Sequence, residues 1–157
     1  MLGLTIALAM IMSYIEALVP ISFAVPGIKM GLANIVIIFV LYKIGTKEAI
    51  LVSLIRVILV SLLFSNVMAM AYSIAGAVLS LSVMWLLKKT DKFSFVGVSI
   101  AGGIMHNVGQ IIMAVILLGT EQIALYLPVL IITGTVTGVV IGIVSGLVIN
   151  RFRTIRL

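Results

Sequence analysis

Apolar residues run almost unbroken through most of the chain, and the breaks between runs are short and marked by charge, proline or glycine. Six runs stand out: Leu2 to Val19, Met30 to Ile44, Glu48 to Phe64, Val67 to Leu87, Phe95 to Leu118 and Leu127 to Asn150. A helix crosses the hydrocarbon core of a bilayer with about 20 apolar residues. The pattern therefore predicts an all-α integral membrane protein, with 157 residues forming one transmembrane domain of six helices and no soluble domain. The second run is short, about 22 Å at 1.5 Å per residue. The fifth is long enough to cross with tilt, although His106, Asn107 and Gln110 interrupt its interior.

Composition removes the soluble alternative. The chain is 64% hydrophobic and 9% charged, with a mean hydropathy of +1.45, whereas a soluble domain carries about 25% charged residues to cover its surface. The formal charge of +6 does not mark a nucleic-acid binder, because the basic residues sit singly or in short groups between apolar runs. Membrane topology accounts for them. Lys43 and Lys47, then Lys88, Lys89 and Lys92, then Arg151, Arg153 and Arg156 all fall on one side of a six-span arrangement, and Lys29 is the only basic residue on the other. Both termini are thus expected on the cytoplasmic side. The chain opens Met1-Leu2-Gly3 straight into an apolar run without a basic leader, so the first segment is expected to stay as a helix rather than be cleaved. With no cysteine, disulfides, thiolate metal sites and thiol catalysis are excluded together.

The connection from Pro20 to Lys29 contains Pro20, Pro26 and Gly27, which forbid a continuous helix, while Ile21, Phe23, Val25 and Ile28 keep it apolar. It is either a tight interfacial connection or a lid over a site, and the segment Gly119 to Tyr126 on the same side could join it. Gly134, Gly138, Gly142 and Gly146 put a bare stripe on one face of the last helix. Gly3 and Ala7, and Ala9, Ser13 and Ala17, repeat small-residue spacing in the first. Such stripes serve internal helix packing or the docking of another membrane subunit. Trp85 and Tyr126 lie where interfacial anchors belong.

Polar groups inside apolar spans are costly and therefore candidates for function. Arg56 lies about 12 Å into the third span, too deep for a loop residue. His106 and Gln110 share one helix face, with Asn107 beside them; Glu16 ends the first span, and Lys29 and Asn34 flank the start of the second. A purely structural role is open for each: Arg56 paired with Glu16, His106 bonded to a carbonyl, the amides tying helices together. Taken together, cations and donors exceed the single nearby acid, which suits an anionic or carbonyl-rich small ligand. The candidate substrate-binding set is Glu16, Lys29, Asn34, Arg56, His106, Asn107 and Gln110.

Catalysis is not expected. The chain has no G-x-x-x-x-G-K-[ST] loop for nucleotide phosphates. Its only aspartate, Asp91, cannot build an Asp-rich magnesium site for diphosphate chemistry. No nucleophile elbow joins a serine to Glu16 and His106, and no clear inverted repeat marks a self-sufficient secondary transporter. No metal or cofactor is implied.

The string PGIKMGLANIVIIFVLYKIGTKEAILVSLIRVIL, followed by YSIAGAVLSLSVMWLLKK and VGVSIAGGIMHNVGQ, resembles the bacterial Gx transporter family, also labelled heptaprenyl diphosphate synthase component I. The resemblance covers nearly the whole chain, with PGIKMGLAN, SLIRV and GGIMHNVGQ as its specific parts. That family is similar to the substrate-binding S components of energy-coupling factor (ECF) uptake transporters. The resemblance implies a multi-pass protein of the bacterial cytoplasmic membrane with six helices in an S-component-like bundle. It also implies an outer-half pocket lidded by the first outer loop, and partnership with a transmembrane coupling subunit and ATPases. The docking face for that subunit would come from Gly3 and Ala7, or Ala9 and Ser13. The alternative is a noncatalytic membrane component of heptaprenyl diphosphate synthase or of a quinone-linked redox assembly.

Overall fold

The structure is a computed structural model that describes residues 2–18 and 31–152. Among them are six α-helices: α1 (Leu2–Leu18), α2 (Ala33–Lys43), α3 (Thr46–Phe64), α4 (Val67–Lys89), α5 (Phe95–Leu118) and α6 (Leu127–Arg151), with a 3-10 helix, Glu121–Tyr126, leading into α6. Every apolar run of the sequence thus carries one helix. Local chemistry sets the boundaries. The Asn66 side chain accepts from the Ala69 amide at 2.8 Å to start α4, and Ser94 accepts from Gly97 at 3.2 Å to start α5, each satisfying an amide that the first turn leaves open. Gly119, in the left-handed region at φ 62°, closes α5.

Three helical segments are long and apolar enough to cross a membrane: Val67–Lys89, Phe95–Leu118 and Glu121–Arg151. The others are shorter or more polar. At 11 residues, α2 would span only about 16 Å, and it begins later than the apolar run predicts because Gly31 takes φ +73°. α3 contains Lys47, Glu48 and Arg56. The exterior is apolar, as bilayer contact requires: Leu4, Leu62, Val67, Leu125, Ile132 and Leu147 are all more than 60% exposed. Polar side chains turn inward instead, with Ser53, Ser61, Ser80, Ser99 and Ser145 buried.

The core forms around α2. Ile37, Ile38, Val40 and Leu41 are fully buried among Ala9 of α1, Val52 of α3, Met84 of α4, Val98 of α5 and Ile141 of α6. α5 and α6 touch backbone to backbone. A methyl group built on Gly138 would lie 2.6 Å from Ile100 Cα, and one on Gly142 would lie 2.6 Å from Val96 Cα. The glycine stripe of α6 is therefore internal packing against α5. On the other face of α5, Gly109 approaches the Ala75 carbonyl of α4 in the same way.

One end of the bundle gathers basic residues. Lys43 Nζ donates to the Phe152 carbonyl at 2.7 Å, Lys88 Nζ donates to the Leu41 carbonyl, and Lys89 Nζ stands 5.5 Å from the Trp85 ring centre. Edge-to-face pairs, Tyr42 with Phe95 at 4.8 Å and Phe39 with Phe152 at 5.9 Å, pack beneath them. Lys29 and the loop expected as a lid, together with Arg153 and Arg156, lie outside the described residues.

The docking face expected on α1 needs correction. Ala9 and Ser13 are buried, because the core of α2 and the guanidinium of Arg56 fill the space in front of them. Only Gly3 and Ala7 remain exposed, among Leu4, Leu8, Ile11 and Ile15.

Candidate functional site

The inward polar residues meet at one cavity of about 40 Å³. Glu16 comes from the end of α1, Asn34 from the first turn of α2, Arg56 from the middle of α3, and His106, Asn107 and Gln110 from α5. Six of the seven residues singled out in the sequence line this space. The seventh, Lys29, lies outside the described residues.

Each position has a local cause. Gly31 holds its backbone in the left-handed region, where its amide donates to Glu16 Oε1 and its carbonyl accepts from the Asn34 amide at 2.7 Å. A side chain there would also press on Asn34 Nδ2 and Ile141 Cδ1, both 3.2 Å from the place of a Cβ. Gly31 thus joins the end of α1 to the start of α2 and sets Asn34 toward the cavity.

Arg56 is held from α1. Its Nη1 donates to Ser13 Oγ at 3.2 Å, and the Glu16 carboxylate lies within electrostatic reach. Its Nε is fully buried and has no hydrogen-bond partner among the described residues. Pairing of Arg56 with Glu16 therefore leaves part of the guanidinium unsatisfied, and a buried unmade hydrogen bond is costly, more so for a charged group.

On α5, Gln110 Nε2 and His106 Nε2 are 3.3 Å apart, as residues one turn apart on a helix allow. The Asn107 amide donates to the Leu130 carbonyl of α6 at 2.7 Å, so Asn107 ties two helices together while also lining the cavity. The dry wall comes from Ile38, Met84 and Ile141.

Sequence reasoning missed several lining residues. Ser99, Gly102 and Gly103 line the cavity, and they stand seven, four and three residues before His106, on its face of the helix. That spacing was the available signal. Thr137 and Gly138 of α6 complete the lining. Thr137 points its hydroxyl to the Thr133 carbonyl at 2.9 Å, so its hydrogen is already committed. Ser13, expected on a docking face, instead anchors Arg56. Among the described residues no group of three or more His, Cys, Asp or Glu side chains is arranged to hold a metal ion.

The family model for heptaprenyl diphosphate synthase component I matches residues 5–148. The chain belongs to this family. The matched stretch contains every residue that lines the cavity. No curated protein and no solved structure matches the chain.

Proposed function

We propose that this family member is the substrate-binding subunit of an ECF-type uptake transporter. It is an S-component-like bundle that crosses the bacterial cytoplasmic membrane six times, with both termini in the cytoplasm. The observation that carries this reading is the cavity. A membrane bundle gains nothing from turning Glu16, Asn34, Arg56, His106 and Gln110 toward one internal space unless something polar is bound there, because each such group is expensive in an apolar surround. The short α2 fits this role, since its first turn delivers Asn34 to the cavity. The basic end, at the C-termini of α2, α4 and α6, faces the cytoplasm in this orientation. Glu16 and Asn34, at the end of α1 and the start of α2, then line the cavity from the outer side, where an uptake substrate arrives.

The chain supplies binding and no catalysis. Energy would come from ATPase partners through a transmembrane coupling subunit, docked on the exposed Gly3 and Ala7 face of α1. The family description favours one other reading, a noncatalytic membrane component of heptaprenyl diphosphate synthase. Asp91, the chain's only aspartate, lies exposed in the turn between α4 and α5, far in sequence from the cavity residues of α1 to α3. Prenyl transfer would thus need a partner's acids.

Purification of the tagged protein from its own membranes separates the readings. Recovery with ATPases and a membrane coupling subunit, together with ATP-dependent uptake after reconstitution, is the expected result. Recovery with only a soluble prenyl synthase, whose activity rises on association, would replace the transport reading with the other.

A further inference from the structure

The cavity carries a specific request for a ligand atom, and it comes from one side of the Arg56 guanidinium. A guanidinium donates in a fixed plane, and Nε lies on the same edge as Nη2. Nη1 is committed to Ser13 Oγ at 3.2 Å. Nε is buried with no hydrogen-bond partner among the described residues, and Arg56 lines the cavity. The other polar groups around it are largely held by the fold. The Asn107 amide serves the Leu130 carbonyl, the Thr137 hydroxyl serves the Thr133 carbonyl, and Glu16 Oε1 receives the Gly31 amide. Nε of Arg56 is therefore a buried donor that the described residues leave unmet.

We infer that the substrate of this site is a compact oxyanion-bearing molecule, a short-chain carboxylate or an anion of similar size, seated with its oxygens on the Nε edge of Arg56. This rests on the transport reading and adds to it the class of substrate. Two further features fit. Two parallel bonds from one guanidinium edge to a planar oxyanion are stronger and more selective than a single contact. The space, about 40 Å³, is a few times the roughly 10 to 15 Å³ that one water needs on a like measure, and far below the roughly 300 to 1,000 Å³ of sites for drug-sized ligands. That suits a compact anion. His106 and Gln110 stand on the α5 side, where they meet whatever short body follows the head group. The step is binding alone, and no bond is made or broken.

The Nε–H signal of Arg56 reports on this directly. The chain has four arginines, Arg56, Arg151, Arg153 and Arg156, so arginine-selective nitrogen labelling of the full chain in lipid nanodiscs gives a simple spectrum, and the signal lost in Arg56→Lys is that of Arg56. The probes are acetate and its neutral isostere acetamide. Acetate is expected to shift the Arg56 Nε–H signal in a saturable way, acetamide to leave it in place, and Arg56→Lys to bind acetate about tenfold more weakly by competition or calorimetry while melting at the wild-type temperature. An Arg56 signal indifferent to acetate, or moved equally by acetamide, overturns the assignment. If Arg56→Lys unfolds, Ser13→Ala replaces it: the guanidinium is kept, so acetate must still move the Arg56 signal, and its failure to do so in a folded protein counts against the proposal. A second measurement separates this inference from the reading beneath it. The purified protein is incubated with cell extract, washed, and its retained small molecules identified by mass spectrometry. A retained compound with no oxyanion leaves the substrate site standing and removes the oxyanion. Retention of nothing removes both.

Discussion

The two halves of the bundle solve the membrane problem in opposite ways. In α4, α5 and α6 the helices are long, and glycines bring them into backbone contact: Gly138 against Ile100, Gly142 against Val96, Gly109 against Ala75. In α1, α2 and α3 the helices are shorter, and side chains fill the space between them, including Ser13, Arg56 and Glu16. Without a hydrophobic drive between helices in lipid, close backbone approach supplies dispersion contacts that longer side chains would prevent. The glycine half is thus a rigid wall with little room for adjustment. The other half packs apolar side chains around α2 and adds hydrogen bonds and charge at Ser13, Arg56 and Glu16, which a ligand can join or exchange. The cavity lies where they meet, with α5 and α6 as the fixed side and Glu16, Asn34 and Arg56 as the responsive side.

The largest effect should come from breaking the fixed side. Gly138→Val places a methyl-bearing carbon where the nearest atom, Ile100 Cα, is 2.6 Å away. Backbone cannot yield as a side-chain tip does, so α5 and α6 must separate. Overpacking costs typically about 1 to 3 kcal/mol and occasionally more, and the upper end or beyond is expected here. Thermal unfolding in detergent micelles checks it. A variant that melts with the wild type would mean that the two helices are not in contact at this point.

Much of this arrangement was readable in the sequence, for reasons that differ between the halves. Helix limits followed from the breaks between apolar runs, and the structure adds the caps at Asn66, Ser94 and Gly119 that fix them. α2 departed from its run because Gly31 is wound left-handed, a conformation that an unbroken apolar run does not announce. Arg56, His106 and Gln110 declared themselves because a polar residue inside an apolar span needs a reason, and they do line one space. Small residues carried no such information. The same glycine or serine suits packing, docking or a cavity wall, and only the three-dimensional neighbours show that Gly138 meets Ile100 while Ser13 meets Arg56.

A smaller effect sharpens the seam between the halves' duties. Asn107 both lines the cavity and donates to Leu130 on α6, and Thr133 Oγ1 donates to the same carbonyl at 3.1 Å. Because that carbonyl keeps one donor, Asn107→Ala is expected to cost about 1 kcal/mol in stability, the middle of the range for interhelical hydrogen bonds in membranes. Chemical unfolding of the micellar protein measures it. A loss above about 3 kcal/mol would mean that Asn107 supports the fixed wall in a way that the single bond to Leu130 does not describe.

The smallest effect on stability is expected where small residues face outward. A methyl group added at Gly3 meets nothing within 4 Å, and Ala7 is exposed on the same face of α1. Ala7→Leu and Gly3→Leu should therefore change stability by no more than about 0.5 kcal/mol, as surface substitutions usually do. Their consequence should appear in assembly instead. A face that is small but not needed for internal packing suits a second helix at close range, and leucine would hold that helix away. Recovery of the proposed coupling subunit with the double variant should fall severalfold, with the melting temperature and the Arg56 Nε–H response to acetate both unchanged. Unchanged recovery would remove this face from the interface. A fall in melting temperature of several degrees would place Gly3 and Ala7 with the internal glycines, contrary to their exposure. Paired with Gly138→Val, the experiment asks of each small-residue stripe whether its partner lies inside the chain or outside it.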